Sequence, residues 1–464
     1  MARPTSGDVN RRRFLQGTGA TALTSLISSS PATAATSPTS AEEGAAAAAP
    51  PYLVDGRYDF DTPYPRVGSL STKWDKQIDR FGDGIQVGMG IADLDFRAAP
   101  CIGEAMRERM AHENWGYLDG DLGFTSLKEA ICDWNRDRHG VTVDPDTIVI
   151  ETGVHPGLIT AIKTFSPPGS RVLMMTPTYN GFYSDLRFTN TIANESEMIF
   201  EGDHYRIDWD DLEARMTPDT HTMLLCNPQN PTGNVWSPED LLRIGELCLK
   251  HRVVVLADEI HADFVRPGFR YTPFASLPDR AIVDNSITFK AATKTFNLPA
   301  SKNAYWFSTN PVYLERALKN QRADINTLGV VANEAAYRHG ADWLDQLLVY
   351  IDGNHRFVED YCRTKLPQVR YTKAQGTFLA WLHFDDVMDA AGVVEASRAS
   401  QSTDSPMSET QMFEVWLAEH CHIQLNHGED YGKGGRRCMR MNIGTSRRLL
   451  KLALDNLRQG IASL

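Results

Sequence analysis

Paired cysteines are missing from this chain. Its seven cysteines, at 101, 132, 226, 248, 362, 421 and 438, include no C-x-x-C pair and no histidine at zinc-like spacing. That excludes a disulfide framework and a structural metal site as organising devices, and leaves buried free thiols as the expectation. Basic clusters are absent outside the extreme N-terminus and the net charge is -12, which argues against a nucleic-acid surface. No apolar run is long enough to span a bilayer, and no internal repeat is visible. What remains is an ordinary globular composition, 42% hydrophobic and 23% charged, over 464 residues: enough for two domains plus appendages.

The first fifty residues read as targeting sequence. Asn10-Arg11-Arg12-Arg13-Phe14-Leu15 precedes a weakly apolar stretch over 17–27 and the small residues Ala32-Thr33-Ala34. A charged start, a short apolar middle and an A-x-A end make an export signal, too short to be kept as a membrane span. The paired arginines resemble a twin-arginine signal. We expect a signal peptide at 1–34 and a linker at 35–59, low-complexity over 35–51. The expected destination is periplasmic or extracellular, with no membrane association after signal removal. The twin-arginine pathway resembles one that exports proteins already folded, which reconciles an oxidising destination with unpaired cysteines.

The body divides by pattern into an N-terminal segment (60–98), a large domain (99–330) and a smaller one (331–464). Ile102, Met106 and Met110 recur four apart, predicting an amphipathic helix, and a second is predicted over 127–138. Strands are then expected at 147–151, 171–175, 223–226, 253–257 and 286–289, separated by helices, with a turn at 153–157 and a helix from Leu158 to Phe165. Strands alternating with helices predict an α/β fold whose sheet is mostly parallel and doubly wound, with ligands beyond the carboxyl ends of the strands. Long helices over 331–365, a strand pair near 369–382 and further helices predict a small α+β C-terminal domain; the polar run 390–409 reads as a surface insertion.

Each distinctive motif falls at such a strand end. Lys294 follows the strand at 286–289 after the small residues Ala291, Ala292 and Thr293. An isolated lysine is more often a solvated surface residue. Placed beyond a buried strand, its amine can be desolvated and can condense with an aldehyde. Asp258 ends the strand before it, where a lone aspartate could equally cap a helix. Asn230 lies in NPQNPTG (227–233), good turn chemistry in its own right. Gly153, Val154 and His155 open a helix, where free backbone N–H groups and the macrodipole favour an anion. Arg440 interrupts the apolar strand RCMRMNIG, and a planar guanidinium fork suits a carboxylate. GEDYGK (428–433) is one residue short of a phosphate-binding loop and lacks its Ser or Thr, so we read it as a decoy.

Taken together, NPQNPTG, ADEIH (257–261), ATKTFNLP (292–299) and RMNIG (440–444), in that order, resemble fold-type-I pyridoxal phosphate enzymes, the aminotransferase superfamily, over roughly 60–464. The resemblance implies pyridoxal 5'-phosphate as cofactor, bound through Lys294. It implies that Asp258 pairs with the ring nitrogen, that Asn230 bonds the phenolic oxygen and lies by the substrate, and that Tyr179 stacks on the ring. Gly153, Val154, His155, Thr293 and Lys302 would anchor the phosphate, and Arg440 would bind the substrate carboxylate. Tyr117 matches a tyrosine that relatives lend to the neighbouring subunit, which implies a homodimer.

KWD (73–75), ADLDF (92–96), WGY (115–117), GVHPGL (153–158) and DEIH, with His261 at the cofactor where aminotransferases usually carry tyrosine, are similar to the cystathionine β-lyase branch. That implies Cα deprotonation of an L-amino acid by Lys294 and loss of a thiolate from Cβ, ending in pyruvate and ammonia. Two departures stand out: Gln229, where histidine is common, and ASKNAYWFSTNP, where relatives usually carry a glycine-leucine and a small apolar strand. An aminotransferase, which returns the proton to the cofactor instead of losing a β group, remains the alternative, as does a specialised-metabolism cyclase or oxidase. The intact Lys294, Asp258 and Arg440 weigh against a non-enzymatic relative.

Overall fold

The computed structural model describes residues 52–464. The expected signal peptide and most of the expected linker lie outside the described residues. Within 52–464 a seven-stranded sheet is built from β1 (Ile148–Glu151), β2 (Arg171–Thr176), β3 (Ile192–Glu197), β4 (Thr220–Cys226), β5 (Val254–Asp258), β6 (Ser286–Lys290) and β7 (Ala304–Phe307). Its order is β1-β7-β6-β5-β4-β2-β3, and only β7 runs antiparallel to its neighbours. The central strands are buried along their whole length, as apolar runs such as Val254-Val255-Leu256-Ala257 require. One face packs Leu158, Ile162, Phe182 and Trp306; the other packs Leu241, Ile244, Cys248 and Phe274.

A second sheet of four strands, β8 (Arg370–Tyr371), β9 (Leu379–His383), β10 (Asn426–His427) and β11 (Cys438–Asn442), has the order β8-β9-β11-β10. Its core takes in Val358, Leu382, Phe413, Leu454 and also Trp74, Val87 and Met89 from the N-terminal segment. That segment therefore folds against the C-terminal sheet, with Val87–Gly88 pairing in parallel with Ile423–Gln424.

Several local expectations are corrected. The helix expected from Leu158 begins at Val154, giving α1 (Val154–Phe165) with Gly153 as its cap. Pro156 falls within its first turn, where a missing N–H costs nothing. The predicted turn is thus the helix terminus itself. The run 390–409 is not only a surface insertion: it contains helix Val393–Ser400, with Val393 and Val394 buried, and the Ser397 and Ser400 hydroxyls donate to the Met407 carbonyl. Strand β3 had no counterpart in the sequence reading, and β7 stands where the resemblance places a small apolar strand in relatives. The departure at 300–310 supplies β7, whose Trp306 packs with Phe289 where a Cβ on Gly157 would lie only 3.1 Å from each ring. A glycine at 157 is what lets α1 sit on those two aromatics. All seven cysteines are free, five of them buried. Among the described residues no helix is long and apolar enough to cross a membrane, and no cluster of His, Cys, Asp or Glu could hold a metal ion.

Candidate active site

The carboxyl ends of the parallel strands converge on a cavity of about 200 Å³. β1 ends beside Thr152, Gly153, Val154 and His155; β2 leads to Tyr179; β4 ends at Cys226 and leads to Asn230; β5 delivers Asp258, Ile260 and His261; β6 leads to Thr293 and Lys294, followed by Pro299 and Lys302. The fold thus brings ten of the sequence-identified residues into one wall. The convergence follows from the parallel sheet, which sends every strand-to-helix turn to the same edge.

Lys294 is half-buried, with its amine turned into the cavity wall. Burial, then the nearby Arg440 guanidinium, pull its amine down to about 8, against the attraction of Asp93 and Asp258. Its Nζ donates to the Ala92 carbonyl at 2.7 Å. Asp258 is buried, and that burial pushes its carboxyl up to about 7; the Ile260 N–H donates to it at 3.2 Å. This is a carboxylate built into an apolar strand end and facing a cavity. His261 is buried, its Nδ1 has no partner, and burial with the positive field of Lys294 and Arg440 holds it well below the ordinary imidazole value. It is therefore a neutral imidazole.

Arg440 projects from β11, the C-terminal sheet, toward the same place. Its Nη1 donates to Asn230 Oδ1 at 3.1 Å and its Nη2 to the Gly90 carbonyl at 2.7 Å, while the buried Nε has no partner. Tyr431 lies under the guanidinium, 5.1 Å from ring centre to Cζ. GEDYGK therefore places the aromatic floor beneath Arg440.

Sequence reasoning missed the strap at 90–95. Besides Lys294 and Arg440, Asn442 Nδ2 donates to the carbonyls of Ile91 and Asp93, both at 2.5 Å, and Asn297 Nδ2 to that of Leu94 at 2.8 Å. The strap is fixed from below by a buried ion cluster: Lys73 Nζ reaches Asp95 at 2.7 Å, Arg66 reaches Asp93 and Asp95 at 2.9 Å, and Trp74 Nε1 donates to Asp95 at 2.9 Å. KWD and ADLDF thus interlock with each other. Carbonyl acceptors carry no residue signature, so only the acids and the lysine were legible.

Two residues sit elsewhere. Gln229 turns away from the cavity and donates to the carbonyls of Met175 and Pro177 at 3.0 and 2.9 Å, so this departure serves the backbone before Tyr179. Tyr117 is not part of the cavity of its own chain and is fully exposed, with Leu122 largely and Trp115 about half exposed nearby in sequence.

These residues fit a ring carrying a phosphate, an aldehyde and a basic nitrogen. The open first turn of α1 has no side-chain cap, and Lys302, Asp258 and Lys294 line the same cavity. The aminotransferase class I and II family model matches residues 84–457. Cystathionine beta-lyase PatB of Bacillus subtilis is 36% identical over 413 residues, covering 88% of this chain and 100% of that protein. Protein MalY of Escherichia coli is 30% identical over 416 residues, covering 88% and 98%. The crystal structure of cystalysin from Treponema denticola, which contains a pyridoxal 5'-phosphate cofactor, superposes with a TM-score of 0.78 at 28% identity, covering 88% of this chain and 99% of its own. The chain belongs to the class I and II aminotransferase family.

Proposed function

We propose that this protein is a pyridoxal phosphate-dependent carbon–sulfur β-lyase acting on an L-amino acid such as cystathionine. The observation that carries the reading is the buried Asp258 carboxylate, pushed up to about 7, in one cavity with a lysine pulled down to about 8. When bound, the cofactor supplies an aldehyde carbon that takes up an amine and a protonated ring that withdraws electrons from Cα. Asp258 keeps that ring nitrogen protonated, and the match improves for both: the carboxylate gains the counter-cation its site lacks. Asn230 gives its Oδ1 to Arg440, which leaves its Nδ2 hydrogens for the phenolic oxygen. The first turn of α1, Thr293 and Lys302 receive the phosphate.

Arg440 then exchanges the Gly90 carbonyl for the substrate carboxylate, a stronger acceptor for a guanidinium. Lys294 leaves the Ala92 carbonyl, takes the Cα proton on Nζ, and returns a proton to the departing sulfur. His261, neutral and without a partner on Nδ1, offers a polar contact that adds no charge beside Lys294. The strap at 90–95 holds Lys294 and Arg440 in place through its carbonyls until the ligand replaces them.

The exposed Tyr117, Trp115 and Leu122 support a homodimer in which Tyr117 enters the partner's site. Arg11-Arg12-Arg13-Phe14-Leu15 supports export by the twin-arginine route. The test of function is direct: with cystathionine alone the enzyme releases pyruvate and ammonia. Strict dependence on a keto-acid acceptor would instead establish an aminotransferase. A visible absorption of the bound cofactor, lost in Lys294→Ala, is expected; no such band on the wild type sinks the cofactor assignment.

A further inference from the structure

One cluster at the cavity rim contains a buried acid, Asp185, that no step above uses. Asp185, on the helix Gly181–Thr189, is buried and faces His155, the second residue of α1. His155 Nδ1 lies 2.9 and 2.8 Å from the two Asp185 oxygens, and its Nε2 lies 3.1 Å from the Tyr179 hydroxyl. The two rings lie 5.4 Å apart, centre to centre. They are pressed together from below: a Cβ on Gly181 would fall 2.4 Å from His155 Cε1 and 2.6 Å from Tyr179 Cε1. Glycine at 181 is therefore needed for the relay to close, and the packing fixes both rings at once.

We propose that Asp185, His155 and Tyr179 form a carboxylate–imidazole–phenol relay, in which the protonation of His155 sets which way the Tyr179 hydroxyl points. The inference rests on the cofactor reading above, because it concerns the ring expected to stack on the cofactor. Nδ1 carries its hydrogen toward Asp185 in both states, since a carboxylate accepts and does not donate. With neutral His155, Nε2 is an acceptor and takes the Tyr179 O–H, so the phenol has no hydrogen to offer the cavity. With cationic His155, Nε2–H donates to the phenol oxygen, and the Tyr179 hydrogen is released for an oxygen of the bound cofactor or substrate. One proton on His155 thus becomes one donor gained in the cavity. Asp185 and His155 are positioning residues; they act through Tyr179.

The groups facing His155 decide how long the cationic state lasts. Burial opposes the charge, the hydrogen-bonded Asp185 more than offsets it, Asp258 adds attraction and Lys294 repulsion, and the balance lies above the ordinary imidazole value of 6.5. A cation in the first turn of a helix is opposed by the macrodipole, so without Asp185 the balance reverses.

The test uses the ligand-free full chain and the cofactor-loaded enzyme. Histidine ring NMR, with the His155 signal identified by its loss in His155→Gln, is expected to give a midpoint above 6.5 in the wild type. Asp185→Asn, which keeps shape and burial, is expected to lower it by about one pH unit or more. Pyridoxal phosphate affinity is then measured against pH for the wild type and Tyr179→Phe; titration of the phosphate and of Lys294 is common to both and cancels in the ratio. The ratio is expected to favour the wild type on the acid side of the His155 midpoint and to fall toward one above it. A flat ratio overturns the proposal, because the histidine would then act by charge alone. An unchanged midpoint in Asp185→Asn, or a wild-type midpoint at or below 6.5, overturns it as well. Failure of the wild type to bind pyridoxal phosphate would sink the cofactor reading, whereas the NMR comparison is made without ligand and judges the relay separately.

Discussion

The ligand-free protein should carry one lysine whose reactivity departs from all the others. With its amine at about 8, about one Lys294 in ten is unprotonated at pH 7, against roughly one in 3,000 for an ordinary lysine at 10.5. At a pH well below both values the ratio of reactive fractions is therefore roughly 300. Two substitutions move it in opposite directions. Arg440→Gln removes a repelling cation and raises the Lys294 value, although burial, the larger cause, keeps it below 10.5. Asp258→Asn removes an attracting anion and lowers it further. The assay is competitive labelling of the ligand-free chain with a trace amine-reactive reagent across pH, followed by peptide mapping of each lysine. Labelling of Lys294 should reach half its plateau near pH 8 in the wild type, higher in Arg440→Gln and lower in Asp258→Asn. A wild-type midpoint near 10.5, or shifts of the same sign in the two variants, would refute the reasoning.

Asp258 has a consequence for stability. Its folded-state value of about 7 lies above the unfolded 3.8, so between these the folded chain binds more protons, and this group makes the ligand-free protein less stable as pH rises through that window. Asp258→Asn is expected to raise the thermal midpoint of the ligand-free protein at pH 8 while weakening cofactor binding; a lower midpoint contradicts the burial argument. Lys73→Met leaves Asp95 and Asp93 with one cation fewer in a buried cluster and should destabilise by about 3–5 kcal/mol in denaturant titration. For Tyr117, mixing inactive Lys294→Ala with inactive Tyr117→Ala chains should restore about a quarter of wild-type activity, since half of randomly paired symmetric dimers hold one intact site. No recovery on mixing excludes the shared site.

The site was legible where chemistry is written in side chains at strand ends. Lys294, Asp258, Asn230, Tyr179 and residues 153–155 all line one cavity at the strand ends, where the alternating pattern and the motif order put them. At 153–157 the sequence offered both a turn and a helix opening at Gly153, because proline and glycine are equally at home in a turn and in a first helical turn; α1 starts at Val154. Likewise 390–409 is polar enough to read as surface, yet its valines find a partner surface on the helix Glu409–Cys421.

By itself, then, the sequence determined the parallel α/β architecture and picked out residues, Lys294 among them, that come to line one cavity. These depend on periodicity and on local motif order, which are properties of neighbouring residues. Tertiary structure alone decided that the strap at 90–95 lends its carbonyls to Lys294 and Arg440, and that Tyr431 floors the guanidinium. Only the fold closes Asp185 onto His155 and Tyr179 across Gly181. Those contacts join backbone acceptors or side chains from different elements. Backbone acceptors are the same for every residue type, and no spacing along the chain records which elements will meet.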